Sequence, residues 1–333
     1  MNDFEITDGK GIIPEGTTVI KNGRFWNRND LRSIVIPSSV TEIQVQAFFN
    51  CQNLTSVEIP SSVTKIDIGA FDSCPRLTHI TISPENNAYY SPDGCNAIIE
   101  KTSHTLILGC QNTIMPPTVK IIGSGAFYGC AGLTSIDIPD SVKEIQEEAF
   151  RNCKGLEEIT IPDSVTKIGE NVFYGCSGLS RVKLSKTITE IPDGLFRRCT
   201  GLEYIEIPDS VKKIGKYAFY KCTSLNSVHI GKSVTEIGNC VFEDCTSLAG
   251  IVIPDSVKKI GAAFVNCPNL RLVCIRDAKI TDNTGLDSSV KRINPMARKE
   301  ERMTWNDEEV TLVEEYVEDY YLGPVGDSDT DDE

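Results

Sequence analysis

The chain has 333 residues, 40% of them apolar and 24% charged, with a formal net charge of −14; this is the composition of a soluble folded protein. Residues 300–333 hold 14 acidic residues against the single basic Arg302, so the remaining body is close to neutral and has no basic stripe able to neutralise nucleic-acid phosphates. No run of eighteen apolar residues exists, which excludes a membrane-spanning helix, and the first residues, MNDFEITDGKG, lack the basic and apolar regions of a secretory leader.

Residues 1–12 read as a short lead-in. A repeat then begins at Ile13-Pro14, with Phe25 and Leu31 in positions that recur down the chain. Cys51 and Cys74 stand 23 residues apart, as do Cys130, Cys153, Cys176, Cys199, Cys222 and Cys245 in turn; Cys267 follows 22 later. A Phe lies three residues before each of these cysteines, from Phe48 to Phe264, and a Leu three residues after, from Leu54 to Leu270. The unit reads I-P-x-S-V-x-x-I-G-x-x-A-F-x-x-C-x-x-L-x-x-I-x. Residues 13–35 are its first copy, with Arg28 in the thiol position, as suits a cap with one face in water.

Units this small cannot bury their own apolar faces and must stack. L-x-x-I-x-I has the period-two pattern of a short strand closed by a proline, V-x-x-I-G that of a second strand, and AFxxC that of a tight turn. The expected architecture is a β-rich repeat solenoid, a right-handed superhelix of short parallel strands over residues 13–293. "LDSSVKRI" (286–293) aligns with "IPDSVKKI" (253–260) as a partial closing repeat.

An insert occupies about residues 83–114. Within it "CNAII" and "TLILG" read as a β-hairpin. Pairing Glu100 with Thr105 sets Cys95 opposite Cys110, either as a disulfide in an oxidising compartment or as two reduced core thiols. The column cysteines fit a structural role: small apolar side chains, each against a neighbouring backbone carbonyl. With no CxxC pair and only three histidines, no metal cluster, cofactor site or catalytic set is expected.

Binding residues are instead expected on the outward positions of the L-x-x-I-x-I strands. Glu158, Arg181, Lys183, Tyr204, Glu206 and His229 form the chemically richest part of that strip. Val252, Leu272 and Cys274 make its C-terminal end apolar. Residues 294–333 form an acidic extension: an amphipathic α-helix over about 306–322, able to dock on the last repeat or to recruit a partner, then a solvated tail over 323–333.

"IPDSVTKIGENVFYGCSGLSRVKL" (161–184) resembles the BspA-type leucine-rich repeat, and the likeness extends over about residues 13–293. The inserted hairpin also looks like one found in bacterial members. The resemblance implies a curved solenoid used for binding, often as an adhesin or surface antigen. The expected function is a noncatalytic, monomeric scaffold for a protein or glycan partner, cytoplasmic as the sequence is written; the alternative is a cell-surface adhesin exported by a signal not seen.

Overall fold

The computed structural model describes residues 4–275, 284–286 and 289–293. Each repeat contributes two short strands and one turn, and like elements stack in parallel. The L-x-x-I-x-I segments form one side: Ser33–Val35, Ser56–Ile59 and His79–Ile82 pair with Ser33 on Ser56 and Ser56 on His79, a step of one repeat. Two-residue strands form another side, among them Glu42–Ile43, Lys65–Ile66, Glu190–Ile191, Lys213–Ile214 and Lys259–Ile260. Their isoleucines point inward and their outward residues alternate Glu, Lys, Glu, Lys. Lys65 therefore meets Glu42, Lys167 meets Glu144 and Lys259 meets Glu236, each at 2.8 Å. This alternation keeps a sheet of stacked charges neutral.

The third side is the expected turn. Backbone bonds join successive turns, as from Phe25 N–H to the Ala47 carbonyl (2.7 Å) and from Phe150 N–H to the Val172 carbonyl (3.0 Å). The second residue after each Phe has a left-handed backbone: Asn27, Asn50 and Asn152 at φ 58–59°, Gly129 and Gly175 at 71° and 73°. Asn and Gly tolerate that region best, which explains their recurrence there. The column phenylalanines stack face to face, from 4.7 Å between Phe48 and Phe71 to 5.5 Å between Phe173 and Phe196.

The insert is a layer of the solenoid rather than an excursion from it. Its strands Ala97–Glu100 and Thr105–Gly109 pair antiparallel, and the second continues into a parallel pair with Ile121–Ile122. Ser73 N–H reaches the Tyr128 carbonyl across the insert (2.9 Å), so the turn ladder resumes beyond it. The core is divided here. Ile98, Leu108 and Cys110 join the N-terminal cluster, while Cys95, Ala97, Ile99 and Leu106 join the long C-terminal one.

That division corrects the expected facing of Cys95 and Cys110. Ile99 pairs with Leu106, but Ile98 pairs with Leu108; the bulge between them advances the register by one residue. Cys110 Sγ consequently lies 3.4 Å from the Asn96 carbonyl, Cys95 belongs to the other cluster, and both side chains are buried.

Both ends also differ from expectation. The lead-in is a hairpin of Glu5–Thr7 and Lys10–Ile12, turned at Asp8 and Gly9 with φ of 51° and 81°. Lys10–Ile12 pairs with Ser33–Val35, and Phe4 meets the end of the phenylalanine column edge-on, 5.4 Å from Phe25. At the other end, Lys291–Ile293 pairs with Leu272–Cys274, not with the Lys259–Ile260 strand that its sequence imitates. Phe264 N–H bonds the Thr284 carbonyl at 3.0 Å, so Gly285 takes the phenylalanine position of the closing turn. The sequence match "SVKRI" to "SVKKI" thus misassigned the sheet. The helix expected over about 306–322 and the tail lie outside the described residues.

Candidate interaction face

Along the L-x-x-I-x-I sheet the inward residues are buried and the flanking ones face solvent. Ile159 is buried between exposed Glu158 and Thr160; Ile205 is buried between Tyr204 and Glu206. Arg181 and Lys183 are exposed and His229 is half-buried. Arg181 lies directly beside Glu158 in the ladder, and its guanidinium donates to one Glu158 oxygen from Nη2 (2.8 Å) and Nε (3.1 Å). The hydrogen bond to Glu158 raises the Arg181 pKa from its ordinary value.

The sheet is interrupted in the middle of this strip. Arg181–Lys183 ladders with Glu158–Thr160, and Tyr204–Ile207 with Ser227–Ile230, but the two pairs belong to separate sheets. The interruption coincides with a departure from the repeat. Leu184-Ser185 stands where Ile161-Pro162 and Ile207-Pro208 stand in the flanking copies. Ser185 is buried, and its hydroxyl donates to the Val165 carbonyl at 2.8 Å, a bond a proline cannot make.

Two adjoining grooves open at the break. One, of about 550 Å³, is bordered by Lys183, Tyr204, Glu206 and His229. The other, of about 370 Å³, is bordered by Glu158, Arg181, Lys183 and Tyr204. All six residues selected from the sequence thus border one continuous region, with Lys183 and Tyr204 shared. Lys186 and Asp209 also line the larger groove and were not selected. The signal for them was the missing proline. At the C-terminal end of the strip Val252, Leu272 and Cys274 are buried, and none belongs to either core cluster.

The column thiols have the expected structural role. Cys51, Cys153, Cys176 and Cys199 each donate to the carbonyl of the Phe one turn earlier at 3.0 Å, and Cys74, Cys222, Cys245 and Cys267 do so at 3.0–3.2 Å. Cys130, the first thiol after the insert, makes no such bond among the described residues. Burial pushes the Cys130 and Cys176 thiols up to about 12, the reverse of what a nucleophile needs. The histidines lie elsewhere: His79 meets the Thr78 hydroxyl (2.8 Å), His104 meets Tyr90 (3.3 Å), and His229 borders the groove. Among the described residues no three His, Cys, Asp or Glu side chains are placed to hold a metal, and no helix is long and apolar enough to cross a membrane.

These features place the chain among known repeat proteins. The BspA type leucine rich repeat region, in six copies, matches residues 9–95, 97–205 and 189–294. A leucine rich cell surface protein from Faecalibacterium prausnitzii is 32% identical with a TM-score of 0.54, over 71% of this chain and 57% of that one. A leucine-rich repeat protein from Bacteroides ovatus is 27% identical with a TM-score of 0.57, over 85% of this chain and 64% of that one. A third, from Eubacterium ventriosum, shares the fold at 21% identity and a TM-score of 0.55, over 76% and 88%. The chain thus spans less than two thirds of the length of the first two. No curated protein matches it. The chain belongs to the BspA-type leucine-rich repeat family.

Proposed function

We propose that the chain is a noncatalytic scaffold that holds a protein partner against the exposed sheet face between Glu158 and His229. The carrying observation is the convergence of six mixed charged and aromatic side chains on two grooves that open where the ladder breaks. Tyr204 is 45% exposed, large and stiff, and Lys183 and Glu206 beside it supply paired polar recognition. Arg181 is already neutralised by Glu158, so its part is to hold the rim of the groove. A polymeric glycan is the other ligand such a face accommodates. Affinity capture by the whole chain, repeated with Arg181→Ala/Tyr204→Ala, tests the reading: the double variant retains its melting temperature and loses the partner. Undiminished capture moves the site off this face.

A surface location is a second reading, carried by the printed description of the Faecalibacterium relative as a cell surface protein. Protease treatment of intact cells separates the two locations. Loss of the chain without lysis supports the surface, and full protection refutes it.

A further inference from the structure

The turn side carries an ordered array that the sheet face does not use. The residue after each column Phe runs Tyr128, Arg151, Tyr174, Arg197, Tyr220, so phenol and guanidinium alternate over five consecutive repeats. All five are half-buried. Arg151 lies 4.3 Å from the Tyr174 ring centroid; Arg197 lies 5.5 Å from that ring and 5.0 Å from Tyr220, with Tyr217 at 5.1 Å. The stack holds the planar guanidiniums in place.

The two arginines differ in one respect. Arg151 is paired with Glu148. Arg197 has no carboxylate partner among the described residues, whereas the Nε of both arginines is buried with no acceptor. Its terminal nitrogens remain the free end of a half-buried cation enclosed by three rings. The backbone around it is that of the other repeats. Tyr217, Arg198 and Lys221 are left-handed at φ 58°, 62° and 59°, as are Glu148, Cys240 and Asp244 at the equivalent positions of other repeats.

We propose that this turn edge binds an acidic polysaccharide carrying one anionic group on alternate sugars, with that group seated on Arg197. The argument is one of period. Arginines at alternate rungs are two repeats apart, twice the 5.5 Å spacing of the rings beneath them. Successive sugars of an extended pyranose chain advance by about one rung, so when a charged sugar sits on Arg197 its uncharged neighbours lie over the Tyr174 and Tyr220 rungs. The tyrosine hydroxyls on the intervening rungs supply donors and acceptors for the uncharged sugars. An extended peptide presents same-face side chains every ~6.6 Å and falls out of step within one rung. This edge lies off the sheet face, and its ligand does not depend on the partner proposed above.

The test uses the whole chain and a hyaluronan decasaccharide, a polymer with one carboxylate per disaccharide, read by calorimetry. Binding of hyaluronan without binding of uncharged chitopentaose is expected. Arg197→Gln weakens it at least tenfold, and Arg181→Ala/Tyr204→Ala leaves it unchanged, both variants keeping the parent melting temperature. Absence of hyaluronan binding, undiminished binding by folded Arg197→Gln, or equal binding of poly-glutamate of matched charge overturns the proposal. Should Arg197→Gln not fold, Arg197→Lys is measured instead: it keeps the charge but loses the planar fork, so binding falls at least fivefold, and unchanged affinity overturns the proposal equally.

Discussion

Phe173→Ala is the sharpest test of the core. Phe173 is fully buried and lies 5.5 Å from both Phe150 and Phe196, with nearly parallel rings. Loss of its transfer term removes about 1.5–3 kcal/mol. The neighbouring rings cannot close the gap, because each is tied to its own turn, so a cavity remains and the total becomes about 3–5 kcal/mol. Stacked repeats contact only their neighbours, so the damage has a position as well as a size. The repeats on either side lose their coupling, and urea unfolding followed by circular dichroism shows a lowered midpoint with a broadened or two-step transition. Hydrogen exchange rises first at Phe150, Phe173 and Phe196. A chain ending at residue 299 serves as the comparison and keeps the parent midpoint. Equal losses from the two changes, or a Phe173→Ala midpoint within 0.5 kcal/mol of the parent, refute the assignment of this column as the main source of stability.

Three further outcomes follow from the same geometry. Gly109→Ala destabilises the chain by about 1–3 kcal/mol, since an added Cβ would lie 2.1 Å from Phe127 Cε1; thermal melting checks it, and an unchanged melting temperature places the ring elsewhere. Alkali weakens the fold selectively. Burial raises Cys176 to about 12 and Cys267 to about 11, against about 8.5 when unfolded. A raised folded pKa contributes stability that is complete below the unfolded value and is lost as pH rises, so the melting temperature holds to about pH 8 and falls between about 9 and 12; a flat profile across that window refutes buried thiols. Finally, Arg181→Ala/Tyr204→Ala loses the partner at unchanged stability, as capture and melting measured together establish.

The repeat was legible because stacking imposes the same demand at every turn. A phenylalanine at the wrong position would leave a void beside two rings, and a larger residue in the thiol position would meet the preceding carbonyl, so both columns are written out nine times or more. What was not legible depended on single local choices. Whether Cys95 faces Cys110 turns on one bulge next to Ile98–Ile99. That bulge exists because the hairpin must serve two cores at once, a demand no alternation of hydrophobic residues reveals. The N-terminal hairpin carried its signal in Asp8-Gly9, which is short but specific. The closing strand carried a misleading one, because a lysine-rich five-residue match says little about which sheet it joins. Among the site residues, the outward strip could be read from alternation alone; the grooves could not, since they arise from a break in hydrogen bonding.

Repetition explains the fold and for that reason says little about the ligand, which must read what is not repeated. The departures cluster. The lost proline at Ser185, the ladder break after Lys183 and Arg197, without a carboxylate partner among the described residues, all lie within residues 181–197. Two of these departures shape the sheet face and the third shapes the turn edge, on different sides of the same repeats. A ligand on one side therefore meets a rigid body that presents the other side in a set orientation, because the phenylalanine column running through these repeats is continuous from Phe127 to Phe264. The consequence is measurable: hyaluronan decasaccharide and the captured partner bind together, with affinities changed less than threefold by each other. Mutual exclusion places both ligands on one side and sinks the division into two surfaces.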